Sequence, residues 1–284
     1  MTTNSGPPML GIFGINMGEM ADPATMIRVA QEAEAAGYES VWTGEHIVLP
    51  DPQAPPSPAA PETPMVDTAV ALAYIAAATD TIRLGSGIII LPQRQPAVLA
   101  KSLASLDHLS GGRLLFGIGV GYLEPEMTAC GVPLARRGRR ADEYLEAMRL
   151  LWSTDAASFS GEFVTFDRVT ANPKPVQAPI PVIVGGHSDR AAQRAVETAN
   201  GWYGFMRDLE TTKADVERLV TMADRFERPA ELGPLEISIT PPGRLRDGDL
   251  EAYGELGVDR LILQPGGHRS LDEVLAYIEQ YKPA

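Results

Sequence analysis

The sequence predicts an α/β protein whose strands and helices form a closed (β/α)8 barrel, a TIM barrel. Apolar segments of strand character alternate from end to end with segments of helical periodicity. Eight strands alternating with roughly as many helices indicate a parallel sheet, and 284 residues suffice for one closed barrel. An open doubly wound sheet is the alternative. It is disfavoured because the first strand lacks the glycine fingerprint, with an acidic residue about 20 positions on, of dinucleotide-binding sheets.

The strands are apolar runs bounded by turn residues. They are predicted at residues 10–15, 40–42, 82–90, 114–118, 181–184, 201–205, 235–240 and 260–263. The first helix is predicted to begin at Asp22 and Pro23, a capping residue followed by a proline, and to end at Gly37. The other helices are predicted at residues 67–79, 96–109, 139–152, 191–199, 211–226 and 271–281. We therefore expect residues 1–284 to form a single domain.

Two insertions interrupt this alternation, near residues 43–66 and 154–180. Residues 50–64 hold seven prolines in fifteen positions and follow the second strand, on the face where barrel active sites form. They are either a stiff surface excursion or a lid over the substrate. The second insertion is predicted to form a hairpin followed by a proline-rich connector.

The composition indicates a soluble protein of the cytoplasm. A single cysteine, Cys130, excludes an internal disulfide framework and suits a reducing compartment. A net charge of −13 and a pI of about 4.8 make the chain a poor binder of nucleic acid or anionic membranes. The amino terminus lacks the features of a signal peptide, and no apolar stretch approaches membrane-spanning length. We expect neither nucleic acid nor membrane as a partner.

Glycines interrupt two of the predicted strands, and this is the most informative feature of the chain. Gly85 and Gly87 lie in the third strand, and Gly117, Gly119 and Gly121 lie in or just after the fourth. Glycine weakens a strand, so it is tolerated where a bulge forms or where a flat ligand approaches the backbone closely. The pattern indicates a planar cofactor held at the mouth of the barrel.

His46 is the histidine best placed for chemistry, because it follows the second strand at its carboxyl end. It is either a proton donor or acceptor near neutral pH or an ordinary loop histidine. Glu45 either orients His46 or stays in solvent. His108 precedes a helix-stop signal and is expected to be structural, whereas His268 lies in a loop on the active face. No metal site is predicted, because the histidines and Cys130 are not at ligand spacing.

Two further segments are candidates for contact with an anion. Residues 185–188, Gly-Gly-His-Ser, open a helix after the fifth strand, where free backbone N–H groups bind phosphate well, although a plain capping turn has the same pattern. The basic cluster at residues 136–140 is either a solvated face or a contact for an anionic cofactor tail. Arg94, after the third strand, is a candidate for a buried ion pair with Glu45 or Asp107.

At these motifs the chain resembles the bacterial luciferase-like superfamily, and within it the deazaflavin-dependent (coenzyme F420) oxidoreductases of actinobacterial type. The motifs that carry the resemblance spread over nearly the whole chain in the order of the family. They are residues 41–46, 82–88, 92–96, 106–113, 117–122, 173–175 and 185–188. In the sugar-phosphate dehydrogenase branch a carboxylic acid follows the fourth-strand glycines. Here Tyr122 takes that place and Glu124 comes two residues later, which speaks against that reaction.

The resemblance implies a homodimeric barrel in which a tricyclic ring lies over a bulge in the third strand. That bulge often contains a non-proline cis peptide, which corresponds here to Gly87-Ile88. The catalytic candidates are His46, as proton donor or acceptor beside the ring, with Glu45 and Tyr122. The implied cofactor contacts are Ser86, Gly87 and Ile88 at the ring, Gly119 and Gly121 at its edge, and Gly185, Gly186, His187 and Ser188 at the phosphate.

The implied function is an oxidoreductase that moves a hydride between coenzyme F420 and a small organic substrate. An FMN-dependent monooxygenase of the same fold, which activates oxygen on reduced flavin, is the nearest alternative. Two alternatives come from other classes of protein. One is a barrel that only binds or senses a cofactor, and the other is a hydrolase that uses Cys130 or Ser188.

Overall fold

Parallel strands close into a barrel in the computed structural model, which describes residues 6–266 and 269–283. Within those ranges the strands are β1 Met9–Phe13, β2 Ser40–Thr43, β3 Arg83–Ser86, β4 Ile89–Ile90, β5 Leu114–Gly119, β6 Ala157–Ser160, β7 Thr165–Val169, β8 Val182–Gly185, β9 Gly201–Phe205, β10 Glu236–Thr240 and β11 Arg260–Leu263. The order around the barrel is β1, β2, β3, β5, β8, β9, β10 and β11, and β11 pairs with β1. These pairings are all parallel, so the predicted (β/α)8 barrel is confirmed.

An α-helix follows every strand of the barrel. The helices of the described residues are α1 Pro23–Ala35, α2 Thr68–Ala76, α3 Pro96–Leu109, α4 Glu124–Ala129, α5 Arg137–Ser153, α6 Asp189–Thr198, α7 Leu209–Arg225, α8 Asp249–Glu255 and α9 Leu271–Gln280. The first helix begins as predicted, because Asp22 accepts a hydrogen bond from the N–H of Thr25 at 2.9 Å and Pro23 is its first residue. The helices α4 and α8 are absent from the sequence prediction because six and seven residues are too few to show a helical period.

The third strand of the barrel is interrupted, whereas the sequence predicts one continuous strand over residues 82–90. Gly87 and Ile88 separate β3 from β4, and the peptide bond between them is cis. From Gly85 to Ile89 the third strand advances four residues, while the paired residues of β5 advance three. The extra residue makes a β-bulge, as the resemblance implies.

Apolar side chains fill both the barrel and the layer between strands and helices. Inside the barrel one buried cluster consists of Phe13, Trp42, Leu115, Ile183, Tyr203 and Ile262. A larger buried cluster joins the strands to the surrounding helices. Because the interior is packed with side chains, a ligand can bind only at an end of the barrel.

The two insertions differ in structure. Between β2 and α2 the chain runs through turns and bends. The end of this insertion is held by hydrogen bonds from the N–H of Gly18 to the carbonyl of Pro64 and from the N–H of Val66 to the carbonyl of Asn16, both 3.0 Å. In the second insertion β6 and β7 pair in antiparallel fashion, which confirms the predicted hairpin. None of the helices in the described residues is long and apolar enough to cross a bilayer.

Candidate active site

A histidine and a buried carboxylate meet at the carboxyl end of the barrel. His46 follows β2, and Glu126 lies on α4, which follows β5. Nδ1 of His46 lies 2.9 Å from Oε2 of Glu126, and the N–H of Ile47 donates to Oε1 at 2.6 Å. The Glu126 side chain is 0% exposed and that of His46 is 10% exposed. Because a carboxylate only accepts hydrogen bonds, Nδ1 carries a proton and Nε2 is left for a ligand.

Glu45 has neither of the two roles that the sequence leaves open for it, and this expectation is corrected. Its side chain is 3% exposed rather than in solvent, and among the described residues its carboxylate forms no hydrogen bond with His46. Its carboxylate accepts hydrogen bonds from the N–H of Ile90 at 3.0 Å and from Nη2 of Arg94 at 2.7 Å. Glu45 therefore faces β4, whereas its neighbour His46 faces α4. Burial raises the pKa of Glu45, and the charge of Arg94 limits the rise.

Arg94 connects the third strand to the end of the proline-rich insertion. Of the two partners predicted for it, Glu45 is confirmed. Nη1 of Arg94 also lies 2.8 Å from Oδ2 of Asp67, the residue that caps α2. The other predicted partner, Asp107, instead accepts the N–H of Gln177 at 2.9 Å.

Sequence reasoning missed Glu126, although the sequence contains a signal for it. Glu126 comes three residues after Leu123 and directly before Met127, and both of those residues are buried. In a helix this spacing places Glu126 on the buried side. Glu124, which stands nearer to the glycines of β5, is exposed.

Tyr122 lies beside His46, as expected for a catalytic candidate. The two rings meet edge to face with centroids 6.0 Å apart, and Tyr122 is 49% exposed. Burial and the negative charge of Glu126 raise the pKa of the Tyr122 hydroxyl. Tyr122 therefore stays protonated at neutral pH and can donate a hydrogen bond.

The side chain of Ser86 holds the bulge against β5. Its Oγ donates to the carbonyl of Gly117 at 2.9 Å and accepts the N–H of Gly117 at 2.8 Å. Gly87 lies close to β1 and β2, since a Cβ there would be 3.0 Å from the carbonyl oxygen of Thr43 and 3.1 Å from the Phe13 ring. The two hydrogen bonds to Gly117 explain why residue 86 is a serine. The contacts of Ser86, Gly87 and Ile88 with a cofactor ring stay a prediction.

The glycines of β5 and β8 make room for isoleucine side chains. A Cβ on Gly119 would lie 2.3 Å from Cδ1 of Ile88, and one on Gly185 would lie 3.0 Å from Cγ2 of Ile88. Gly121 has a φ of +78°, and a Cβ there would lie 2.8 Å from Ile90. At these three positions a side chain would require Ile88 or Ile90 to move, and their predicted contacts with a cofactor stay a prediction.

A basic cavity lies between the β5 and β8 ends of the barrel. Its volume is about 330 Å³, and its lining includes Gly185, Gly186, Ser188, Arg136, Arg137, Arg139, Arg190 and Arg194. Gly186 has a φ of +125°, a backbone conformation that favours glycine. Ser188 caps α6, with its Oγ 3.2 Å from the N–H of Ala191. The structure thus brings the predicted phosphate turn and most of the basic cluster to one place.

The charges of this cavity fit an anion. Arg136 and Arg139 pair with Glu162, and Arg194 pairs with Asp142. Within the part of the chain that the structure describes, the other two lining arginines form no ion pair. They are Arg137, whose Nε donates to the carbonyl of Gly121 at 2.9 Å, and Arg190. Guanidinium groups beside the start of a helix are suitable donors for a phosphate.

The His187 side chain contacts β9, and its predicted contact with a phosphate stays a prediction. Its Nε2 accepts the N–H of Phe205 at 3.2 Å, and its ring meets Trp202 edge to face. Burial and the positive charge of Arg207 lower the pKa of His187, which is therefore neutral at pH 7. Its position ties the end of β8 to the end of β9. His268 lies outside the described residues.

Proteins of known structure share this architecture. An F420-dependent secondary alcohol dehydrogenase, solved with an F420-acetone adduct, superposes with a TM-score of 0.77 at 15% identity over 96% of this chain and 98% of that one. Monooxygenase RslO1 from Streptomyces bottropensis superposes with a TM-score of 0.78 at 21% identity over 96% and 97%. At these identities the likeness shows the fold.

Sequence relatives define the family. Uncharacterized protein Rv0953c of Mycobacterium tuberculosis is 32% identical over 267 residues, which are 90% of this chain and 92% of the relative. The FMNH(2)-dependent dimethylsulfone monooxygenase of Pseudomonas putida is 36% identical over 145 residues, which are 50% of this chain and 40% of the relative. The family profile of luciferase-like monooxygenases matches residues 7–280. This chain belongs to the luciferase-like monooxygenase family.

Proposed function

We propose that this protein is an oxidoreductase that transfers a hydride between coenzyme F420 and a small organic substrate. The observation that carries the proposal is the contact between His46 and the buried Glu126, which meet at the mouth of the barrel. A histidine held by a carboxylate is suited to move the proton that accompanies a hydride. The coenzyme, when bound, supplies or accepts the hydride.

The residues around the mouth have separate tasks in this proposal. The arginines of the basic cavity, with Gly186 and Ser188, bind the phosphate. The bulge supports the ring, and Tyr122 donates a hydrogen bond. Nε2 of His46 holds the mobile proton, and Glu126 stabilises the charged imidazole that forms when His46 accepts one. For a carbonyl substrate the proton goes from Nε2 to the oxygen, and His46 recovers it from solvent.

The basic cavity supports F420 over FMN. FMN ends in one phosphate, whereas the side chain of F420 continues beyond its phosphate with further carboxylates. Five arginines around a cavity of about 330 Å³ are more than one phosphate needs, and two of them have no carboxylate partner in the described ranges. An FMN-dependent monooxygenase is the second candidate, because a relative 36% identical over half of this chain is named for FMNH(2).

The cofactor assignment is tested by titrating the purified protein with F420 and with FMN, following the fluorescence of each. We expect F420 to bind about tenfold or more tightly than FMN, a difference of ~1.4 kcal/mol. Arg190→Ala should weaken F420 binding about tenfold, because it removes a charge-assisted contact. Arg28→Ala, on the exposed face of α1, is the matched control and should change nothing. Tight FMN binding with oxygen consumption and no F420 affinity would overturn the assignment.

Three expectations from the sequence stay predictions beside this proposal. They are a homodimer, a cytoplasmic location, and a small molecule rather than nucleic acid or a membrane as partner. The net charge of −13 supports the last of them.

A further inference from the structure

Arginines crowd the start of α5. Residues 136, 137, 139 and 140 are all arginines, and the first turn of this helix holds no acidic residue. The amino terminus of a helix carries the positive end of its dipole, so these guanidinium groups are repelled by the helix end and by one another. Negative groups, from the protein or from a ligand, are needed to compensate such an arrangement.

The protein supplies one such group, the carboxylate of Glu162. This residue lies in the turn between β6 and β7, residues 161–164, which we call the hairpin tip. Its Oε1 pairs with Arg136, and its Oε2 lies 3.2 Å from Nη2 of Arg139. Both arginines line the basic cavity. Glu162 therefore occupies donors that an anionic group of a ligand would otherwise use.

The backbone of the hairpin tip is held on α5 by a second carboxylate. Glu143 accepts the N–H of Glu162 at 2.9 Å, that of Phe163 at 2.6 Å and that of Val164 at 2.8 Å. The ring of Phe163 also lies 4.4 Å from the guanidinium of Arg140. These contacts do not involve the side chain of Glu162, so the hairpin tip stays in place when that side chain turns away.

The ion pairs of Glu162 are exposed enough to be exchanged. The side chains of Arg136 and Arg139 are 58% and 68% exposed, and that of Glu162 is 35% exposed. Ion pairs this exposed contribute little, because water screens the charges and two long side chains must be held still. An anionic group that contacts both guanidiniums can displace the carboxylate into solvent.

The cavity also contains two arginines without a carboxylate partner in the described residues. Nε of Arg137 donates to the carbonyl of Gly121 at 2.9 Å, and Nη1 of Arg190 donates to Oε1 of Gln193 at 2.9 Å. Both line the cavity together with the predicted phosphate turn. A first anionic group can bind there without competition from Glu162.

We propose that Glu162 is a specificity-determining residue of the basic cavity, whose carboxylate competes with the second anionic group of a ligand for Arg136 and Arg139. This inference rests on the proposed function in taking the cavity as the phosphate site. A ligand with a single phosphate binds at Arg137 and Arg190 and leaves the pairs of Glu162 intact. A polyanion must displace the carboxylate, so Glu162 lowers the affinity of polyanions and leaves that of a single phosphate nearly unchanged.

The competition selects polyanions by the spacing of their charges. Two guanidiniums share the one carboxylate of Glu162, so the group keeps a net positive charge and still attracts an anion. A second anionic group that reaches Arg136 and Arg139 replaces the contacts that it breaks. A group that falls short of them gains nothing in return, and such a ligand is rejected.

The test is calorimetric titration of the parent and of Glu162→Gln with inorganic phosphate and with tripolyphosphate, in buffer without divalent cations. Glutamine keeps the size of the side chain and removes its charge. We expect Glu162→Gln to bind tripolyphosphate about fivefold to tenfold more tightly than the parent, and inorganic phosphate to change by less than about twofold. Glu146→Gln removes an exposed carboxylate of the same helix and is the matched control, which should change neither affinity.

Three results of this titration would overturn the proposal. An equal gain for both anions would mean that the charge of Glu162 acts on the whole cavity rather than on a second anionic group. No gain for tripolyphosphate would mean that the carboxylate does not compete. Weaker binding of tripolyphosphate would mean that Glu162 orients the arginines for the ligand.

A second comparison tests whether Glu162 acts through its two partners. Glu162→Gln is combined with Arg136→Gln and Arg139→Gln, and the triple variant is compared with the variant that lacks only the two arginines. We expect the gain for tripolyphosphate to disappear in this background, because nothing is left for the carboxylate to compete for. A gain of the same size in both backgrounds contradicts the competition.

The outcomes distinguish this inference from the proposed function. If Glu162→Gln gains affinity for tripolyphosphate as expected and the protein does not bind F420, the role of Glu162 stands and the cofactor assignment is overturned. If the parent binds F420 tightly and Glu162→Gln leaves tripolyphosphate binding unchanged, the cofactor assignment stands and the role of Glu162 is overturned.

Discussion

Glu126 positions two groups with one carboxylate. One oxygen accepts the proton on Nδ1 of His46 and the other accepts the N–H of Ile47, so the side chain and the backbone after β2 are both fixed. The proton-transfer chemistry of His46 therefore depends on a residue 80 positions away in the chain.

Glu126→Gln keeps the size of this side chain and changes its hydrogen-bond chemistry. An amide that donates to Nδ1 moves the imidazole proton to Nε2, so His46 can no longer accept a proton there. We expect kcat to fall by about 10²–10⁴-fold with an unchanged F420 dissociation constant. Steady-state kinetics and F420 titration measure both quantities. Glu124→Gln, two residues away and exposed, is the control, and an equal loss in both variants would contradict the role of Glu126.

The sequence predicts those site residues whose position follows from the end of a barrel strand. His46 follows a strand, so its place at the mouth follows from the barrel itself. The spacing of Glu126 from Leu123 and Met127 indicates its buried side only once the six-residue helix is recognised, and so short a helix is not predicted from periodicity. The sequence leaves Glu45 either beside His46 or in solvent, because it does not show that Arg94, 49 residues away, pairs with it.

At the scale of elements, the bulge between β3 and β4 depends on β5. Ser86 bonds both backbone groups of Gly117, and the side chain of Ile88 covers Gly119 and Gly185. The glycines of β5 and β8 therefore have a packing role in addition to any contact with a ligand. A Cβ at Gly117 would meet the backbone of Ser86, whereas one at Gly119 or Gly185 would require the Ile88 side chain to move.

Gly117→Ala is the sharpest test of this dependence. Its Cβ would lie 1.8 Å from the backbone carbonyl oxygen of Ser86, and a backbone atom cannot turn away as a side chain can. We expect a loss of about 1–3 kcal/mol or more in the free energy of unfolding, together with weaker F420 binding. Urea unfolding and F420 titration measure the two effects.

Gly254→Ala serves as the control for this substitution. It lies in α8, where the nearest atom to a Cβ is Cδ of Pro8 at 3.3 Å, and alanine favours the helix. We expect a change within about 1 kcal/mol. A Gly117→Ala protein as stable as the control, with unchanged F420 affinity, would contradict the packing role of Gly117.

Periodicity predicts the alternation of elements, whereas the interruption of the third strand is indicated only by its glycines and by the family resemblance. Apolar runs at the spacing of a barrel identify the eight strands, because burial on both faces selects such runs. Residues 82–90 contain apolar residues on both sides of the bulge, so periodicity alone predicts one continuous strand. Gly87 indicates a weak point, but only the pairing with β5 shows where the extra residue lies.

At the scale of the whole molecule, one buried arginine joins strands from different parts of the barrel at its amino-terminal end. Arg260 begins β11 and is 0% exposed. It donates two hydrogen bonds of 2.8 Å to Glu39, which precedes β2, and it pairs with Glu236 at the start of β10. Its guanidinium also lies 5.7 Å from the Trp42 ring inside the barrel. Losing one partner leaves a buried charge without compensation, which destabilises the closed ring.

This cluster predicts how stability depends on pH. Burial alone would raise the pKa of Glu39, but the charge of Arg260 and the hydrogen bonds from Arg260 and Ser40 together outweigh it and hold the pKa below the ordinary value of 4.5. A carboxyl whose pKa is lower in the folded chain stabilises the fold above its ordinary pKa, and this contribution is lost as the pH falls through the folded value. Glu39→Gln should therefore lower the free energy of unfolding by about 2 kcal/mol at neutral pH. The difference from the parent should shrink below pH 4.5.

Urea unfolding of both proteins between neutral pH and about pH 3 measures this difference. Glu32→Gln is the control, because Glu32 forms an exposed pair with Arg28 on α1 and should cost less than about 0.5 kcal/mol at any pH. A Glu39→Gln deficit that stays constant across the whole range would mean that the carboxylate charge contributes nothing. The deficit would then come from packing alone, and the ion pair would have no part in closing the barrel.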